Sequence, residues 1–123
     1  GSKANPVVYA PRVGPSRPVA LMLASGDLTV HNEVSDVLIH AGGWRPRTAM
    51  FRYDLLRAAQ PQLPADPHRW QTGAVPGTQA HQILAQRQTG AFFASDGAQF
   101  IDPDGADPVF EAPAARLPFD GRR

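Results

Sequence analysis

The stretch Trp44-Arg45-Pro46-Arg47-Thr48-Ala49-Met50-Phe51-Arg52-Tyr53-Asp54-Leu55-Leu56-Arg57 places four arginines against one aspartate within fourteen residues, in a chain whose net charge is only +1. Guanidinium groups beside exposed rings suit phosphates, nucleobases or an acidic protein surface. Arg45, Arg47, Arg52, Arg57 and Trp44 are therefore the candidate nucleic-acid-binding residues. The competing reading of the same arginines is a solvated helix face with Asp54 as a local ion-pair partner.

Other residues that could do chemistry form no complete constellation. The four histidines, His31, His40, His68 and His81, have no metal-ligand spacing and fall on no common predicted face, so none is assigned as an acid, a base or a ligand. Asp102, Asp104, Asp107 and Glu111 suggest a calcium loop, but Gly105 stands at the wrong position for an EF-hand and no glutamate closes it. That segment reads as a turn. Gly42-Gly43 lacks the rest of any phosphate-binding fingerprint, and Trp44 and Trp70 suit a small core or a lid as well as a stacking platform. The reading thus assigns no catalytic residue, no cofactor and no metal.

The elements that must position these residues are bounded by composition. A chain of 123 residues with 42% hydrophobic residues supports one domain around a modest core, and 13 prolines with 11 glycines imply long irregular segments around it. With no cysteine, disulfides, thiolate metal sites and cysteine nucleophiles are excluded. No apolar run reaches the length of a membrane span. Gly1-Ser2 reads as a remnant of tag cleavage on a segment of a longer protein. Charge is uneven: residues 1–60 carry seven Lys or Arg against four Asp or Glu, and residues 61–123 carry five against seven. A localised basic patch fits this distribution better than a polyanion-coating surface.

Along the chain, residues 1–15 read as a flexible linker with one short extended piece at Val7-Val8-Tyr9, residues 16–112 as a single domain, and residues 113–123 as a loose C-terminal tail. Ser16 is expected to cap a short helix that carries Val19, Leu21, Met22 and Leu23 and exits at Gly26. Leu28-Thr29-Val30-His31 and Val37-Leu38-Ile39-His40 read as a β-hairpin. Phe51, Leu55 and Ala59 predict a helix from about Thr48 to Gln60, with Arg45, Arg47 and Arg57 outward and Pro61 as its stop. A third helix is expected from about Gln79 to Gln88, capped by Thr78 and leaving at Gly90. Ala91–Ala94 and Gln99–Ile101 flank Ser95-Asp96-Gly97-Ala98, a tight-turn sequence that predicts a terminal hairpin.

The sum is a small α+β domain of about three helices plus β-hairpins, winged-helix-like in order, with disordered Pro-rich tails. Leu23-Ala24-Ser25-Gly26-Asp27-Leu28-Thr29-Val30, with Asn32-Glu33 behind it and a later helix bearing Phe51 and Tyr53, resembles the winged-helix C-terminal domain of conjugative relaxases over residues 17–112. The chain departs from that pattern at His31 and at Arg45-Pro46-Arg47. The resemblance implies a DNA-associated accessory domain of a larger bacterial protein, without catalytic residues of its own. Phe51-Arg52-Tyr53-Asp54 followed by Gly90-Ala91-Phe92-Phe93-Ala94-Ser95 resembles the first two motifs of ADP-ribosyltransferase toxins. The downstream catalytic glutamate of that pattern is missing, since only Glu111 follows Ser95.

The functional expectation is accordingly a non-catalytic binding module, cytoplasmic, monomeric in isolation and without a membrane partner. Nucleic acid is preferred over protein as the partner. The alternative is a small secreted toxin, either ADP-ribosyltransferase-like or an RNase. A toxin of the first kind requires Arg52 and Ser95 in one cleft, and an RNase requires a histidine near an arginine. Neither arrangement is expected.

Overall fold

The computed structural model describes residues 17–105 and 107–118, so the expected extended piece at Val7-Val8-Tyr9, the cap at Ser16 and the last five residues lie outside it. The α+β class holds: the described residues form three α-helices and a three-stranded sheet. In chain order these are β1 (Leu21–Ala24), α1 (Asn32–Gly42), β2 (Thr48–Phe51), α2 (Tyr53–Ala59), α3 (Gln79–Ala94) and β3 (Phe110–Glu111), with 3-10 turns at Arg45–Arg47 and Trp70–Thr72.

β2 is the central strand. It pairs in parallel with β1, Leu21 opposite Thr48 through Ala24 opposite Phe51, and antiparallel with β3, Phe51 opposite Phe110. All four β2 residues are buried, so their apolar run has no exposed face to mark a period. A helix and a fully buried strand look alike under that condition. This is why the helix expected over 48–60 divides into β2 and α2 at Arg52.

Strand alternation sends side chains to opposite faces, and each face has its own core. Ala49 and Phe51 of β2, with Ala24 of β1 and Phe110 of β3, pack with Tyr53, Leu63, Trp70, Val75 and Ala85. Met50 packs on the other face with Ile39 of α1, Ala114, Leu117, Leu21, Leu23 and Trp44. Residues 113–118 therefore do not begin a loose tail: Ala114 and Leu117 are buried, and the Ala114 amide donates to Thr48 O at 2.7 Å.

Three further expectations are corrected by packing. The helix expected from Ser16 is instead β1, because the short run between Pro18 and Gly26 is marginal as a helix and its residues Leu21–Ala24 find a ready partner in β2. The hairpin expected at 28–31 and 37–40 does not form: residues 28–31 are irregular backbone leading into α1, and 37–40 lie within that helix, which turns Asp36 and Ile39 inward and ends on Gly43 in the left-handed conformation (φ 68°). The terminal hairpin is absent from 91–101. α3 runs past Gly90 to Ala94, and the positive φ of Asp96 and Gly97 closes the helix, with the Gly97 amide donating to Phe92 O at 2.7 Å. The same Asp-Gly chemistry that favours a tight hairpin thus terminates a helix, and residues 91–94, expected as the first strand of that hairpin, are helical.

Phe110 is fully enclosed whereas Phe93 is 74% exposed. Phe110→Ala is expected to destabilise the fold by about 3–5 kcal/mol, and Phe93→Ala to lie within about 0.5 kcal/mol of the parent. Urea unfolding of the two variants checks the contrast; equal losses would contradict this packing.

Candidate functional site

The two parallel strands end at the same edge of the sheet, and the loops leaving their carboxyl ends carry most of the polar side chains that bond across the fold. After β1 come Ser25, Gly26 and Asp27; after β2 come Arg52, Tyr53 and Asp54. Ligands of open α/β units bind at this edge. Ser25 Oγ donates to Asp54 Oδ1 at 2.5 Å, and Arg52 grips Asp54 with two hydrogen bonds of 2.8 and 2.7 Å. The arginine clamp, reinforced by the Ser25 bond, holds the Asp54 carboxyl down at about 2. Both loops are thereby locked together.

Beside this lock, the loop after β1 meets the segment after α2. Asp27 Oδ1 accepts from the amides of Thr29 and Val30 at 2.9 Å each, and Asp27 Oδ2 accepts from His68 Nδ1 at 3.0 Å. In return Asp66 accepts from the amides of Leu28 and His68 and from Thr29 Oγ1. Those hydrogen bonds, led by the one from Thr29, lower the Asp66 pKa. Two aspartates therefore zip the two segments: each satisfies backbone donors of its own segment, and Asp27 reaches across to the His68 ring while Asp66 reaches across to the Leu28 amide and the Thr29 hydroxyl. Asn32, at the start of α1, ties the turn to the strand by donating to Ala24 O and accepting from the Gly26 amide.

A pocket of about 300 Å³ opens here, lined by Asp27, Asn32, Ser35, His68, Arg69 and the edge of Trp70 among others. Trp70 is 4% exposed and packs against Phe51 and Phe110, which anchors the 3-10 turn that follows. Arg69 joins the loop to that anchored turn in the left-handed conformation, φ 68°, which a non-glycine residue rarely adopts. Its guanidinium is solvent-facing and forms no hydrogen bond or ion pair with any described residue.

The four arginines of the basic stretch lie elsewhere and serve the fold. Arg45 donates to the carbonyls of Ala114 and Ala115, holding the C-terminal segment. Arg47 donates to Gly97 O and lies 6.0 Å from the Phe92 ring centre, holding the end of α3. Arg52 pairs with Asp54 and stands 3.8 Å from Glu111. Arg57 donates to Leu63 O. Arg45 and Arg47 precede β2 while Arg52 follows it, so the length of a strand separates them. The expectation that Arg45 and Arg47 project outward is corrected: both are half-buried. Trp44 packs with the second core and over Gly42, where a Cβ would stand 2.5 Å from its ring.

Arg52 and Ser95 are likewise not brought together. Ser95 lies beside the Gly97 turn that Arg47 holds, at the opposite end of β2 from Arg52. His68 and Arg69, adjacent in sequence, both line the pocket. Adjacency in Pro67-His68-Arg69-Trp70 was the available signal, but only the partner loop shows that Asp27 orients the imidazole. The chain matches no protein-family model, no curated protein and no solved structure with which it was compared. No described helix is long and apolar enough to cross a membrane.

At the far side, Asp104 sits beside Asp102, and burial together with that neighbouring carboxylate pushes its pKa up to about 6. A carboxyl raised in the folded state binds protons that the unfolded chain has released, so stability is expected to fall as pH rises from about 4 to about 6. Asp104→Asn is expected to remove that slope and raise stability at pH 7; thermal melts across this range decide it. At the pocket, an ionised Asp27 only accepts hydrogen bonds, so neutral His68 is expected to carry its proton on Nδ1. Long-range proton–nitrogen NMR reads the tautomer directly, and an Nε2-protonated neutral ring would refute the orientation.

Proposed function

We propose that this domain binds single-stranded nucleic acid, and that it does so at the His68–Arg69 pocket rather than through the basic stretch. The observation that carries this reading is the unpaired Arg69 guanidinium, held in a left-handed backbone beside an imidazole whose Nδ1 is already committed to Asp27. A phosphate oxygen is the natural partner for a planar guanidinium with free donors. The N-terminal turn of α1, with Asn32 and Ser35 in the lining, adds its dipole on the same side.

Charge count and shape narrow the ligand. Arg69 supplies one fixed positive charge, and the Asp27 and Asp66 carboxylates stand behind it, which favours a singly charged phosphodiester over a dianionic phosphate monoester. Val30, in the pocket lining, is 44% exposed and offers apolar contact to one unstacked base. A concave pocket of this size receives a splayed nucleotide, whereas a duplex keeps its bases stacked.

Titration of fluorescein-labelled single-stranded RNA and DNA by anisotropy tests the reading. Binding is expected at low salt, with Arg69→Ala weakening it roughly tenfold or more. The salt slope is expected near that of one or two phosphate contacts, roughly −0.7 to −1.4 on a log–log plot, against about −2.8 for four contacts. Arg57→Ala is expected to leave affinity unchanged, because its guanidinium bonds to Leu63 O. No binding at low salt, or loss with Arg57→Ala but not with Arg69→Ala, would overturn the assignment.

A further inference from the structure

We propose that the pocket cleaves RNA by internal transesterification, with His68 as the proton-transferring residue and Arg69 as the phosphate contact. This rests on the nucleic-acid reading of the same pocket. It adds a reaction, and the reaction follows from how the Asp27 carboxylate is spent. Oδ1 is occupied by two backbone amides and Oδ2 by His68 Nδ1, so the carboxylate holds the ring in one orientation and stabilises the imidazolium when it forms. Nε2 is the nitrogen left to exchange a proton with a substrate. Asp27 is thus a positioning residue, and Asp66, which accepts from the His68 amide at 3.1 Å, is another.

The source of the nucleophile points to RNA. The Ser25 hydroxyl is committed to Asp54 and Phe51 O, and neither Ser35 nor Thr72 in the pocket wall bonds to His68, Thr72 Oγ1 donating instead to Arg69 O. A base with no protein hydroxyl in its grip suits a substrate that carries its own nucleophile. RNA does so at every linkage, since each 2′-hydroxyl stands next to the 3′-phosphorus and gains the large advantage of an intramolecular attack. DNA lacks that group.

The step balances without a further reactant. His68 Nε2 takes the proton of the 2′-hydroxyl as the 2′-oxygen bonds to phosphorus. The P–O5′ bond then breaks, and the imidazolium returns that proton to the departing 5′-oxygen. The products are a 2′,3′-cyclic phosphate and a 5′-hydroxyl, with no net proton released and no water consumed. Arg69 faces the non-bridging oxygens, where negative charge develops.

The test uses the purified full chain with a fluorescein-labelled single-stranded RNA, the all-deoxy version, and a deoxy oligonucleotide carrying one ribonucleotide. Cleavage is expected in the RNA and at the single ribonucleotide, leaving a cyclic phosphate, while the deoxy strand is bound and uncut. His68→Ala, purified in parallel, is expected to lower the cleavage rate by about 10²–10⁴ with RNA affinity within about twofold of the parent. His68→Asn, whose amide nitrogen takes the place of Nδ1 and keeps the Asp27 bond, guards against a folding defect, and Asp27→Asn is expected to lower kcat with little change in KM. RNA bound but left intact by the parent, or cut by both His68 variants at the parent rate, overturns this proposal and leaves the binding reading standing. Cleavage of the deoxy strand also overturns it, and failure to bind any strand overturns both.

Discussion

Phe51, the last residue of β2, is the contact on which the rest of the molecule depends. Its ring is fully buried and meets Tyr53 edge-on at 5.7 Å, Trp70 at 4.5 Å and His81 in a near-parallel stack at 4.7 Å. Burial among these rings lowers the His81 pKa. Those partners come from α2, from the 3-10 turn after the proline-rich crossing and from the first turn of α3, so one side chain joins three segments that share little regular structure. Aromatic packing of this kind supplies both buried area and preferred geometry. In a chain this rich in proline and glycine, a single hub offsets the shortness of the strands.

The same hub reaches the pocket through Trp70. Because Trp70 is held in the core, the residues before it are presented at the carboxyl edge of β1 with little freedom, and the Asp27 and Asp66 hydrogen bonds fix them from the other side. His68 and Arg69 are therefore placed by packing and by loop-to-loop bonding together, not by an element of their own. A site built in this way is preorganised, which is what proton transfer and phosphate recognition require. The left-handed backbone of Arg69 is consistent with local strain retained where it positions a functional group.

The arginines of the basic stretch show how the same residue type divides between support and recognition. Arg45 and Arg47 satisfy carbonyls of irregular segments, and Arg52 joins the two loops at the carboxyl edge through Asp54. A guanidinium has five donors in a fixed fork, which makes it as useful for tying irregular backbone as for holding phosphate. In a fold with long irregular connections the first use claims the arginines nearest the sheet. Arg69, whose guanidinium bonds to no described residue, is the one to which the proposed function gives the second use.

The sequence by itself determined the α+β class, the exclusion of cysteine chemistry and the helix beginning at Gln79, because composition and local helix-forming runs are local properties, whereas the division of the core between the two faces of the sheet and the use of the Thr78 hydroxyl, which donates to Val75 O instead of capping, came from packing. It also held the chemistry of the Asp96-Gly97 turn, though not its use, since positive φ serves a hairpin and a helix end equally well. What tertiary structure decided was whether Leu21–Ala24 and Thr48–Phe51 were strands, because a short apolar run takes its form from the partner that buries it. It also decided that the Arg69 guanidinium remained unpaired and that Asp27 oriented His68. Asp27 and His68 are 41 residues apart, and no spacing rule joins them. They meet only because β1 and β2 run parallel and end at the same edge, which brings the loop after one strand against the crossing that follows the other.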